Sequence, residues 1–182
     1  MEKKEKITSP TQHTPNCSGI VQLVPENVGY LVGLQTKIMD MFPEQTGLAK
    51  LHITILHQSF PKMVGAGKTR GDKMLKQAYK DKKPSKIPTP TVELGDVYMA
   101  TGEGDESGRV STYIVVRDTQ ACKDTRDAIL SAAGIIETLG HLVGTPEQDR
   151  VFHISLTNLT GNGGDSIKYP NLAKDQKLEV PA

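Results

Sequence analysis

Two tetrapeptides in this chain carry residues that could together supply an acid, a base and two oxygen-binding donors. They are His52-Ile53-Thr54-Ile55 and His153-Ile154-Ser155-Leu156. Each reads His, apolar, hydroxyl, apolar, and each follows another apolar residue, Leu51 or Phe152. With five His and a hydrophobic fraction of 36%, only about 0.1 such matches are expected by chance if positions are independent. Strict alternation of this kind predicts a half-buried β-strand, whose residues i and i+2 share a face roughly 6.5–7 Å apart. Each copy then offers an imidazole and a hydroxyl side by side, with Ile and Leu anchoring the other face. If the two strands meet, one cleft holds an acid, a base and two oxygen-binding donors. Imidazole titrates near neutrality, so one ring can accept a proton while the other gives one. A lone motif is more often an ordinary strand with a surface His; the pair favours chemistry.

Several elements must position these groups. Residues 1–18 are polar, contain Pro10 and Pro15, and read as a loose arm. Gly19–Val24 reads as a strand, and Pro25 falls at a plausible first helical position. Leu31, Leu34, Ile38 and Met41 follow with the spacing of an amphipathic helix ended by Pro43. The first motif strand spans Leu51–Gln58. Residues 61–91 are rich in Lys, Gly and Pro and form an exposed insertion, with a short helix around Asp72–Lys80. Val92–Ala100 and Ser111–Arg117 are strands joined by the acidic turn Thr101–Gly108. Asp118 is placed to cap a helix with Cys122, Ile129, Leu130 and Ala133 inside and Gly134 at its end. The second motif strand, Val151–Asn158, leads to the loop Gly161–Asp165. The order strand, helix, strand, insertion, strand, strand, helix, strand defines an α+β class.

Composition narrows the options. A chain of 182 residues suits one domain burying roughly 70% of its unfolded surface. A net charge of +1 gives no global field towards long DNA or a membrane surface. Three Phe, five Tyr and no Trp argue against a stacking platform for long single strands. Cys17 and Cys122 are too few and too far apart for a disulfide framework or a zinc site. The polar start Met1–Lys6 has no apolar core behind it, so a cytoplasmic location is expected.

The paired motifs resemble those of the 2H phosphoesterase family, the LigT-like, cyclic-phosphodiesterase-like group, over roughly residues 19–160. The resemblance implies a bilobed α+β domain over residues 19–166, with two antiparallel-rich sheets forming a central cleft and helices outside. The 61–91 insertion accounts for the long gap between the motifs, and residues 167–182 would be a polar tail. It implies a metal-independent phosphodiesterase with no cofactor, in which His52 and His153 share acid and base roles and Thr54 and Ser155 bind the non-bridging oxygens. The substrate would be a nucleotide or oligoribonucleotide, and the protein a monomer or weak dimer. Two substrate classes follow: a small cyclic or 2′-5′/3′-5′ oligonucleotide messenger, as destroyed by the viral and phage anti-CBASS branch in the host cytoplasm, or a 2′,3′-cyclic phosphate at an RNA end. A nucleotide-sequestering protein is the non-enzymatic alternative.

Other features weigh less. Gly65-Ala66-Gly67-Lys68-Thr69 imitates a phosphate-binding loop, but Lys62 stands where its first glycine is required. The same basic stretch serves better as a flap, with Lys62, Lys68 and Arg70 as substrate contacts and Lys73 and Lys76 beside them. Tyr113 could offer a ring face to a base, as could Tyr98 and Tyr169, and Asn158 closes the second motif strand as a further substrate contact. The Gly163–Ser166 loop could line the cleft rim. His57 faces away from His52 on a regular strand, and His13 and His141 have no partner pattern.

Overall fold

The computed structural model describes residues 6–7, 12–15, 21–25, 28–56, 77, 80–81, 87, 90–117, 119–132 and 151–181. Strands β1 (Lys6–Ile7), β2 (Gln12–Pro15) and β3 (Val21–Val24) precede helix α1 (Gly29–Met41). Strands β4 (Thr46–Gly47), β5 (Ile53–Leu56), β6 (Val92–Thr101) and β7 (Val110–Val116) lead to helix α2 (Thr119–Ala132). Strands β8 (His153–Asn158) and β9 (Gln176–Leu178) complete the α+β fold.

The strands join antiparallel in the order β1-β6-β7-β8-β5-β3-β2, with β4 beside β8 and β9 beside β6. The two motif strands are therefore neighbours at the centre of the sheet. Instead of two separate sheets there is one continuous path, joined where Ile53 pairs with Ile154. Each side of this junction repeats a plan. One neighbour of β5 is β3, and one neighbour of β8 is β7, each supplied by the chain ahead of it.

Alternation explains why these segments are strands. Ile53, Ile55, Ile154 and Leu156 are fully buried, whereas His52, Thr54, His153 and Ser155 are partly exposed. Burying each of those aliphatic side chains contributes roughly 1.5–3 kcal/mol. Helix α1 directs Leu31, Leu34, Gln35 and Ile38 inward. Helix α2 directs Cys122, Thr125, Arg126, Ile129 and Leu130 inward. Helix α1 packs against β4 and, across the junction, β8; α2 packs against β5 of the first half.

Some expectations change. Pro25 is buried but lies ahead of the helix, which opens at Gly29 after Val28. Met41 sits exposed in the last turn, and Gln35 takes an inward place that its polarity concealed. The supposed loose arm supplies β1 and β2, which add edges to β6 and β3. The supposed polar tail supplies β9, and its Leu178 joins the core beside Val97. Asp118, Ala133 and Gly134 lie outside the described residues, as do nearly all of the 61–91 insertion, His57 and His141. No helix among the described residues is long and apolar enough to cross a membrane.

Gln35 ties α1 to the motif strands. Its Nε2 donates to the carbonyls of Leu48 and Leu156 at 2.9 and 2.8 Å. Leu156 also accepts from the Leu48 amide, but the Leu48 carbonyl loses this side-chain donor when Gln35 is replaced. Gln35→Leu is therefore expected to cost about 1–3 kcal/mol, the usual penalty for orphaning a buried polar group. A fall in the urea unfolding midpoint checks this.

Candidate active site

Antiparallel partners add to a constant, so the Ile53–Ile154 pairing sets its neighbours. Continuing that register one residue each way places His52 opposite Ser155 and Thr54 opposite His153. Directly opposed side chains start from Cβ atoms roughly 4.5–5.5 Å apart, and diagonal ones roughly 7–8 Å apart. In that register the backbone positions of the two His lie on one diagonal across β5 and β8, and those of Thr54 and Ser155 on the other. All four are on the face opposite the fully buried Ile53, Ile55, Ile154 and Leu156.

The two histidines are anchored alike. His52 Nδ1 lies 3.0 Å from the Lys50 carbonyl oxygen, and His153 Nδ1 lies 3.0 Å from that of Val151. A carbonyl can only accept, so each Nδ1 carries hydrogen and donates to the residue two positions earlier. In the neutral ring this leaves the lone pair on Nε2, the nitrogen aimed away from its own backbone. Burial lowers the pKa of His52 below its ordinary value of 6.5, outweighing the Lys50 carbonyl bond, which raises it. His52 thus stays neutral to a lower pH than a free imidazole does.

Tyr113 stands behind His153. It pairs with Ser155 across β7 and β8, and its ring meets the imidazole edge-on, centroids 5.4 Å apart at 70°. Tyr98, its partner on β6, stacks on it at 5.7 Å and 14°. Its hydroxyl donates to Asp175 Oδ2 at 2.6 Å. Burial, then the bond to and charge of Asp175, and then Tyr98 raise the Tyr113 pKa well above its ordinary value, so it stays a donor. At 2% exposure, Tyr113 has no ring face left for a base, which corrects its expected role as a substrate contact. Neither its place nor that of Asp175 was visible in the sequence, because Asp175 falls in the presumed tail.

Asn158 is also corrected. It is fully buried; its Nδ2 donates to the Asn162 carbonyl and Ser166 Oγ, and its Oδ1 accepts from the amides of Thr160 and Gly161. Five residues of strand separate it from His153, roughly 17 Å. Asn158 organises the loop after β8, including Gly161, whose φ of +78° suits glycine. That loop follows the end of β8 remote from His153, so it does not rim the motif face. Lys62, Lys68, Arg70, Lys73 and Lys76 lie outside the described residues.

A cavity of about 440 Å³ is lined by Met99, Glu106, Tyr169, Asn171 and Asp175 among others. It includes neither imidazole and touches their surroundings only through Asp175. Among the described residues no group of three or more His, Cys, Asp or Glu could hold a metal ion. Comparison with protein-family models, curated proteins and solved structures returns no match.

The depressed His52 pKa has a definite sign for stability. Above pH 6.5 the ring is neutral both folded and unfolded. As pH falls through 6.5, the unfolded chain takes the proton first, so stability drops until the folded ring protonates as well. His52→Gln is expected to lose less stability than wild type between pH 7.5 and 5.5. Urea midpoints across that range measure it, and equal slopes would count against a half-buried His52 whose pKa is lowered.

Proposed function

We propose that this chain is a phosphodiesterase that cleaves ribonucleotide phosphodiesters by paired histidine acid–base catalysis. The diagonal placement of two imidazoles across two hydroxyls, each ring held by the same backbone bond, carries this reading. In it, β5 and β8 are the central strands of the two lobes of a 2H phosphoesterase domain.

The chemistry divides among the four side chains. Neutral His52 accepts a proton at Nε2 from the attacking oxygen, either water or a ribose 2′-hydroxyl beside the phosphate. That oxygen bonds to phosphorus while the bond to the departing oxygen breaks. His153, protonated at Nε2, returns a proton to the leaving oxygen. Thr54 and Ser155 donate to the non-bridging oxygens, where negative charge grows in the transition state. The rings finish with their protonation states exchanged, which suits them for the reverse roles in a second step. Both protons pass through imidazoles, so the mechanism needs no metal.

The substrate class favoured by the motif resemblance is a small cyclic or 2′-5′/3′-5′ oligonucleotide messenger, with viral immune evasion as the setting. A panel of cyclic dinucleotides and trinucleotides, 2′-5′ oligoadenylate and a 2′,3′-cyclic-phosphate RNA end, read by mass spectrometry, separates this class from RNA-end processing. His52→Ala and His153→Ala should each lower kcat by about 10²–10⁴, the usual contribution of a general acid or base, and EDTA should leave wild-type turnover intact. Turnover equal to wild type in both variants would reject the assignment. Tight binding of a panel member with no product from wild type would mark a sequestering protein instead.

A further inference from the structure

Catalytic imidazoles need more than one constraint, because a single hydrogen bond at Nδ1 leaves the ring free to swing about that contact. For His153 the Val151 carbonyl holds one edge. A further constraint comes from a neighbouring strand and from the C-terminal segment together. Tyr113 lies on β7, held between β6 and β8, and brings its ring against His153 at 5.4 Å and 70°. Tyr98 supports the Tyr113 ring by stacking. The Tyr113 hydroxyl is fixed by Asp175 at 2.6 Å.

Asp175 is itself immobilised. Its Oδ2 also accepts from the Asn171 amide at 2.9 Å, and its own amide donates to the Asn171 carbonyl at 2.8 Å. It immediately precedes β9, where Lys177 pairs with Tyr98 of β6. A continuous series of contacts therefore runs from Asn171 through Asp175 and Tyr113 to the imidazole.

We propose that Tyr113 is a positioning residue for His153, and that Asp175 sets the angle at which the Tyr113 ring meets it. The kinetic part of this inference rests on reading His153 as a catalytic acid. The positioning itself does not, and can be observed without turnover.

The test uses full-length protein with ¹⁵N-labelled histidine and three variants. Tyr113→Leu removes the ring edge, Tyr113→Phe keeps the ring but loses the hydroxyl, and Asp175→Asn keeps an acceptor but loses its charge. Long-range ¹H–¹⁵N spectra report which ring nitrogen carries hydrogen. Wild type should show His153 as the Nδ1–H form when neutral. Tyr113→Leu should mix the two tautomers at His153 while leaving His52 unchanged, and Tyr113→Phe and Asp175→Asn should show a smaller shift in the same direction. With a substrate identified by the panel, kcat should fall about tenfold to a hundredfold in Tyr113→Leu with KM within about twofold, the scale of a misplaced reacting group. Tyr113→Phe should restore part of that loss.

His153 nitrogens identical to wild type in folded Tyr113→Leu would overturn the proposal. So would equal disturbance of His52 and His153, because it would mean general loosening of the sheet. If Tyr113→Leu does not fold, the two milder variants decide, and wild-type spectra in both overturn it. If wild type cleaves no phosphodiester, the functional reading fails separately and the nitrogen spectra alone judge the positioning.

Discussion

Strands can slip only by whole residues, and the junction between β5 and β8 shows how strongly that restricts this molecule. A slip of one would turn His52 and Thr54 towards the core and bring Ile53 and Ile55 out to water. An imidazole buried without partners is costly, so this alternative is closed. A slip of two preserves the faces but sets His52 directly opposite His153 in place of Ser155. The flanking pairings oppose it, because Leu23 is matched to Ile53 on one side and Ile114 to Ile154 on the other. The diagonal placement of the two His and the two hydroxyl residues is thus a consequence of apolar packing on the reverse face.

Polar groups inside the fold refine what that packing begins. The Thr157 hydroxyl donates to Gln45 Oε1 at 2.8 Å, so the hydrogen shared with Thr112 at 2.6 Å must come from Thr112. Gln45 in turn donates to the Val110 carbonyl. With Gln35 bound to Leu48 and Leu156, these side chains link α1, the segment ahead of β4, β7 and β8. A connected buried network of this kind favours one arrangement of strands over near alternatives.

Much of this organisation was legible in the residues. Both motif strands, the hairpin of β6 and β7, and the apolar inward positions Leu31, Leu34, Ile38, Cys122, Ile129 and Leu130 of the helices follow from periods of two or of three to four. The signals that failed are those in which polarity and burial part company. Gln35 reads as a surface residue and is buried because its amide meets two carbonyls. Asn158 reads as a ligand contact and is a loop centre because all its hydrogen-bonding capacity is met locally. Asp175 and β9 sit in a polar stretch whose partners are far away in sequence, and no local pattern announces such pairings. The carbonyls of Lys50 and Val151 are likewise invisible, since any residue supplies one.

The crossing of the helices affects how the protein can come apart. Helix α1 packs on β4 of its own half and on β8 of the second, and α2 of the second half packs on β5 of the first. Among the described residues, each half therefore supplies cover to a strand of the other. A chain divided at its middle would leave two fragments, each with a naked apolar surface whose cover belongs to the other. The molecule is accordingly expected to melt as a single cooperative unit.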